Sequence, residues 1–159
     1  MRRGASLVRA NRLALLAPAV LLAGALGSQY LGGLYPCEMC HWQRWPHYAA
    51  LVVAGLAFAT AGGVRRMLVI SAALLIAASG AIGAFHAGVE YGWWPGITGC
   101  TSTVAPGGSA AEMFDKLMRA PMVRCDVAPW SLAGISLAGW NAIISIVAAL
   151  AVLRLAVKR

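Results

Sequence analysis

Residues 67–89, MLVISAALLIAASGAIGAFHAGV, contain no Lys, Arg, Asp or Glu, and they are closed by Arg65-Arg66 on one side and Glu90 on the other. A bilayer core of about 30 Å is crossed by roughly 20 apolar residues. In lipid such a stretch must be helical, because nothing else satisfies its backbone N–H and C=O groups. Working outward, three further uncharged stretches of that length lie at about 13–34, 45–64 and 131–153. The 159-residue chain is 60% hydrophobic and 11% charged, whereas soluble domains run about 45–50% apolar and about 25% charged. An ordinary soluble enzyme is excluded. Pro46 is expected in the opening turn of the second span, where a missing N–H costs nothing.

A net charge of +8 would suggest nucleic acid in a soluble protein, but here the charges are sorted by segment. Arg2, Arg3, Arg9, Arg12, Arg65, Arg66, Arg154, Lys158 and Arg159 stand in segments without an acid. Glu38, Glu90, Glu112, Asp115 and Asp126 share the other segments with Arg44, Lys116, Arg119 and Arg124. Short basic loops stay cytoplasmic. Both termini and the Arg65-Arg66 turn are therefore expected inside, with loops of about 35–44 and 90–130 outside. Trp42, Trp45, Trp93, Trp94, Trp130 and four tyrosines fall near the outer ends of spans, as interfacial rings do. The N-terminal arginines, the run from Leu13 to Gly27 and Ala23-Gly24-Ala25 have the form of a secretory signal. Continuation of the uncharged run past Ala25 to Cys37 argues against cleavage.

The second outer loop is too long to be mere connection. Pro106-Gly107-Gly108 is a break, and Ser109 with Glu112 reads as a capping box. Met113, Phe114, Leu117 and Met118 then share a helical face, while Glu112/Lys116 and Asp115/Arg119 pair on the other; Pro121 marks the stop. The expected fold is an all-α membrane protein: a four-transmembrane-helix bundle with two outer loops, the second carrying a short amphipathic interfacial helix. Residues 1–159 form a single integral membrane domain.

All four cysteines, Cys37, Cys40, Cys100 and Cys125, map to the outer loops. In an oxidising compartment they most simply form two disulfides. Three pairings are possible; nearness in sequence favours Cys37–Cys40, which leaves Cys100 with Cys125. A disulfide closing so short a loop restrains little chain entropy, so Cys37–Cys40 suits a reagent better than a staple. In a tight C-x-x-C, one thiolate attacks and the other resolves. Arg44, four residues beyond Cys40, falls on the same helical face and favours the thiolate. His86 and Glu90 form another i,i+4 pair at the outer end of the third span, and ionisable residues at that depth mark function. Cys37–His41 also fits the C-x-x-C-H haem attachment pattern, which would make a membrane c-type cytochrome. That reading leaves Cys100 and Cys125 without a role. A four-cysteine zinc site lacks its second close pair, so no metal is expected. A non-enzymatic membrane protein with structural disulfides is the remaining alternative.

At these residues the sequence resembles the disulfide bond formation protein B (DsbB) family. Cys37-Glu38-Met39-Cys40-His41-Trp42-Gln43-Arg44 is similar to its C-x-x-C-x-x-Q-R motif. Phe85-His86-Ala87-Gly88-Val89-Glu90-Tyr91-Gly92-Trp93-Trp94 resembles its third-span exit. Cys125-Asp126, Trp130, Gly134-Ile135-Ser136 and Asn141 resemble the approach to its fourth span. The resemblance implies a bacterial inner-membrane enzyme that oxidises a periplasmic thioredoxin-fold thiol oxidase (DsbA-like) and passes the electrons to a quinone, ubiquinone or menaquinone. It further implies that Cys100 forms the mixed disulfide with the partner, that Cys125 attacks Cys37, and that Cys40 faces the quinone beside Arg44. His86 and Glu90 match positions near the quinone. Some members carry Gln where Glu90 stands. A vitamin K epoxide reductase-like enzyme, the other four-helix reading, places its membrane C-x-x-C late in the chain rather than after the first span.

Overall fold

The computed structural model describes residues 2–98, 109–119 and 123–158. Among these, four long helices carry the chain: α1 (Arg2–Tyr30), α2 (Glu38–Phe58), α3 (Gly62–Glu90) and α5 (Leu137–Val157). A short α4 (Ala110–Arg119) and a hairpin of β1 (Ser131–Leu132) with β2 (Ile135–Ser136) lie between α3 and α5. Three of the helices, Gly4–Tyr30, Gly62–Glu90 and Leu137–Val157, are long and apolar enough to cross a membrane. The fourth long helix, α2, is not among them, because Glu38, His41, Gln43, Arg44 and His47 crowd its first half. Packing is dense along α3, which lies against both α2 and α5, while α1 closes the bundle over α2 and α5. Away from the cysteines the core is built of small side chains: Ala50, Ala54, Ala72, Ala73 and Ala149 are almost fully buried. Lipid supplies no hydrophobic force between helices, so close approach of small residues is what holds such a bundle.

The helix boundaries depart from the hydropathy expectation for local reasons. Rather than ending near residue 34, α1 stops at Tyr30, where Leu31 and Gly32 N–H groups both turn back on the Gly27 carbonyl at 2.9 and 3.2 Å. Gly33 follows in the left-handed region at φ 67°, which glycine adopts without cost. At the start of α2, Cys37 acts as the N-cap, so the helix opens at Glu38 and not near 45. Pro46 therefore lies inside the helix instead of in its opening turn. It has no N–H for the Trp42 carbonyl, and on the next carbonyl, Gln43's, Ser79 Oγ donates at 2.7 Å.

Arg65 and Arg66 fall within α3, and the turn precedes them at Ala59–Ala61. Arg65 reaches back to donate to the Ala57 and Phe58 carbonyls at 3.1 and 3.4 Å, neutralising the negative end of α2. The fourth helix starts at Leu137 rather than 131 because Ala133 (φ 53°) and Gly134 (φ 77°) close a tight hairpin turn. Ser136 Oγ then caps α5, accepting the Gly139 N–H at 3.1 Å. At α4 the reciprocal cap forms: the Ser109 N–H donates to Glu112 Oε2 at 2.9 Å and the Glu112 N–H to Ser109 Oγ at 3.3 Å. Phe114 and Met118 on α4 are exposed. The break at Pro106-Gly107-Gly108, the stop at Pro121 and the side chains of Lys116, Leu117 and Arg119 lie outside the described residues.

Candidate redox site at the cysteine end of the bundle

As the N-cap of α2, Cys37 accepts the Cys40 N–H on its sulfur at 3.3 Å. The two sulfurs stand 3.0 Å apart as a hydrogen-bonded pair of thiols. A helix N-terminus carries partial positive charge and favours a thiolate. Cys40 lies in the first turn of α2, and Arg44 follows it by one turn on the same helix. At the cap, the hydrogen bond with Cys40 and burial push the Cys37 thiol up. Cys40, in the first turn of the helix that Cys37 caps, is thus the sulfur better placed to ionise. His41, which would complete a haem-attachment motif, is exposed.

Cys125 comes in from the segment before the hairpin and is buried against Cys37. Its sulfur, the Cys37 sulfur and a His86 ring nitrogen all lie within 4.8 Å of one another. His86 Nε2 is 3.5 Å from Cys37 Sγ and 3.7 Å from Glu90 Oε1. Cys100 lies outside the described residues. The exit of α3 shapes this corner. Trp94 folds back over Gly88, donates to the Phe85 carbonyl at 2.9 Å and stacks on the Phe85 ring at 5.8 Å. A Cβ on Gly88 would stand 2.0 Å from the Trp94 ring, so only glycine fits. Tyr91 Oη accepts the Ser136 N–H at 3.0 Å and donates to the Gly134 carbonyl, tying α3 to the hairpin.

Two cavities flank Cys40. One, of about 250 Å³, opens between α1, α2 and α5 and has apolar walls from residues such as Val20, Leu21, Leu137 and Ile144, with Cys40, Gln43, Arg44 and His47 contributing to its lining. Arg44 is buried at 8% exposure and anchored to α1, donating to Gln29 Oε1 at 2.6 Å and to the Ala25 carbonyl at 3.1 Å. The second cavity, of about 300 Å³, is lined by Cys37, Cys40, His86, Glu90, Val123 and Arg124. Arg44 on one side and His86 with Glu90 on the other are therefore divided between two cavities that meet at Cys40.

A polar network beneath the cysteines fixes proton positions. Gln43 Nε2 donates to the Met39 carbonyl at 3.2 Å, which settles the orientation of its amide. The same nitrogen is 2.8 Å from His86 Nδ1, so Nδ1 accepts and the neutral ring carries its proton on Nε2, facing Cys37 and Glu90. Cys37, His86 and Cys125 have a spacing that a thiophilic metal could use. With Nε2 protonated, however, His86 donates toward sulfur. Hydropathy reading passed over Gln29, His47, Ser79 and Ser145. For Ser79 and Ser145 the signal is a single polar residue inside an apolar run, and Gln43/His47 and Asn141/Ser145 are each four residues apart.

Four long helices, three of them of membrane-crossing length and character, carry a buried cysteine cluster at one end: the design of a membrane thiol oxidoreductase. A family model for the disulfide bond formation protein DsbB matches residues 8–155. A curated "Disulfide bond formation protein B" from Polaromonas sp. is 32% identical over 141 residues, covering 84% of this chain and 80% of that protein. The chain belongs to the DsbB family, and its function lies in disulfide bond formation and protein folding. No solved structure matches it.

Proposed function

We propose that the protein oxidises a DsbA-like periplasmic thiol oxidase and delivers the electrons to a membrane quinone. In this reading all four long helices span the bacterial inner membrane, both termini are cytoplasmic, and α4 lies on the outer surface. The observation that carries it is the placement of Cys125 against Cys37 while Cys40 borders the cavity that holds Arg44. A partner thiolate attacks the Cys100–Cys125 disulfide at Cys100, and Cys125 leaves as a thiolate. The partner's second thiol resolves the mixed disulfide and departs oxidised. Cys125 attacks Cys37, breaking the Cys37–Cys40 disulfide and releasing Cys40 as a thiolate. Cys100 then displaces Cys37 from Cys125, restoring the outer disulfide and leaving a Cys37/Cys40 dithiol.

The first cavity fits a quinone by its chemistry: apolar walls for the ring substituents, and a buried guanidinium with N–H donors for a ring oxygen. The Cys37/Cys40 dithiol would reform its disulfide by giving two electrons and two protons to a quinone (ubiquinone or menaquinone) held there, which would be released as quinol. Arg44 holds the Cys40 thiolate and offers hydrogen bonds where negative charge develops. His86, donating from Nε2, steadies sulfur at Cys37, and Glu90 fixes the ring. No step requires a metal. Anaerobic mixing of a reduced periplasmic dithiol protein, this protein and a short-chain quinone tests the proposal. Quinol formation that needs all four cysteines is the expected result; formation that survives loss of Cys40 or Cys125 overturns it.

A further inference from the structure

Resting on that reading of the first cavity, one buried side chain bordering it has no place in the thiol chemistry. His47 is 3% exposed and is among the residues that line the cavity. All its hydrogen-bond partners lie at Nε2: Ser79 Oγ at 2.9 Å, Asn141 Oδ1 at 3.0 Å and Ser145 Oγ at 3.3 Å. Its other nitrogen, Nδ1, is buried with no hydrogen-bond partner among the described residues. A buried polar atom left unpaired is costly, and a ligand in the adjoining cavity can relieve that cost.

The network decides what kind of atom Nδ1 is. Asn141 Nδ2 donates to the Ser79 carbonyl at 3.3 Å and to Gln43 Oε1 at 2.9 Å, so its Oδ1 faces His47. Ser79 Oγ directs its single proton to the Gln43 carbonyl. Both neighbours therefore present oxygen lone pairs to Nε2, and Nε2 carries the proton. In the neutral ring, Nδ1 is left as a bare acceptor. A quinone carbonyl is also an acceptor and gains nothing from it, whereas a phenolic O–H is its complement. We propose that His47 Nδ1 is a second polar anchor in the cavity, accepting the hydroxyl of a hydroquinone head group. Arg44 donates and His47 accepts, so the two side chains complement opposite hydrogen-bonding roles of the same ligand class.

The test uses dithiol-reduced full-length protein in detergent under argon, where protein and ligand are both already reduced and no turnover occurs. Binding of a short-chain ubiquinol and of its dimethyl ether is compared by equilibrium dialysis. The wild type is expected to prefer the quinol by about tenfold, equivalent to about 1.4 kcal/mol, and His47→Phe to abolish that preference. A preference that survives the substitution, or one absent from the wild type, overturns the proposal. Should His47→Phe not fold, ¹⁵N-histidine spectra of the wild type decide, with three histidines to assign. His47 Nδ1 is expected to be unprotonated and to shift with the quinol and not with the ether; a protonated Nδ1, or identical shifts, overturns it. Normal quinol production without a quinol preference removes the His47 assignment alone. Failure of the protein to reduce quinone, with the hydroxyl preference intact, removes the oxidase reading and leaves this one standing.

Discussion

At the end of the bundle away from the cysteines, α2, α3 and α5 meet through Ala50, Ala54, Ala72, Ala73 and Ala149. At the cysteine end the same three helices meet through Gln43, His47, Ser79, His86 and Asn141, joined by hydrogen bonds of 2.7–3.3 Å. The alanine contacts specify distance and little else; packing of small residues sets how closely the axes approach. The polar contacts specify which nitrogen of His47 and of His86 carries a proton. Stability and chemistry are thus assigned to different stretches of the same helices, and substitutions in each stretch should separate them.

The largest effect is expected for Cys40→Ser. Loss of the thiolate that borders the Arg44 cavity should cut quinone reduction by more than about 10³-fold, as loss of a nucleophile does. Exchange of the outer cysteines with a reduced partner, followed by gel shift of the mixed disulfide, should continue. Normal quinone reduction by this variant would remove Cys40 from its place between the two cavities. Next comes Arg44→Ala, which takes away a buried guanidinium held by Gln29 and the Ala25 carbonyl. A charged hydrogen bond is worth roughly 1.5–3 kcal/mol. The quinone KM should rise about tenfold or more, and kcat should fall as the Cys40 thiolate loses its counter-charge. An unchanged KM and rate would leave Arg44 as a helix-to-helix strut.

Ala73→Leu sharpens the comparison from the other end. Ala73 is fully buried where α3 meets its neighbours, and added methyl groups in a packed core cost about 1–3 kcal/mol. Unfolding in a detergent titration should begin earlier, while the rate of thiol exchange per folded molecule stays at the wild-type value. If the rate falls together with stability, the two stretches are not separable.

Much of this division was legible in the sequence. Uncharged runs placed the long helices, and the sorted charges assigned the cysteines, Arg44, His86 and Glu90 to one side; of these, Cys37, Cys40, Cys125, Arg44, His86 and Glu90 lie at one end of the bundle. The start of α2 was not legible, because a hydropathy window treats Glu38 and Arg44 as loop, while the chain uses Cys37 as a cap and carries those charges into the first turns. Nor did Arg65-Arg66 read as helix: Arg65 closes carbonyls of α2, a contact across a turn that composition does not encode. The hydrogen-bond network escaped for a related reason. Ser79 and Asn141 come from helices far apart in sequence, and only the close packing of α3 against α5, near Gly80 and Gly83, brings them to Gln43 and His47.

The smallest expected effect lies outside the bundle, at α4. Its N-terminus is held by the reciprocal Ser109–Glu112 bonds, and hydrogen bonds from Ser109 hold the Glu112 carboxyl below the usual range. A carboxyl with a lowered folded-state pKa contributes stability fully present above its unfolded value, and that contribution is lost as pH falls through the folded value. The Ser109 amide should therefore be protected from hydrogen exchange at neutral pH and lose protection only below the ordinary glutamate range. In Ser109→Ala the protection should be weaker at every pH, as for loss of a helix cap. Thiol exchange with the partner should change by less than about threefold, because α4 shares no hydrogen bond with Cys37, Cys40 or Cys125 among the described residues. A larger fall would mean that the order of α4 controls access to the outer cysteine pair, making the helix part of the exchange step rather than an attachment beside it.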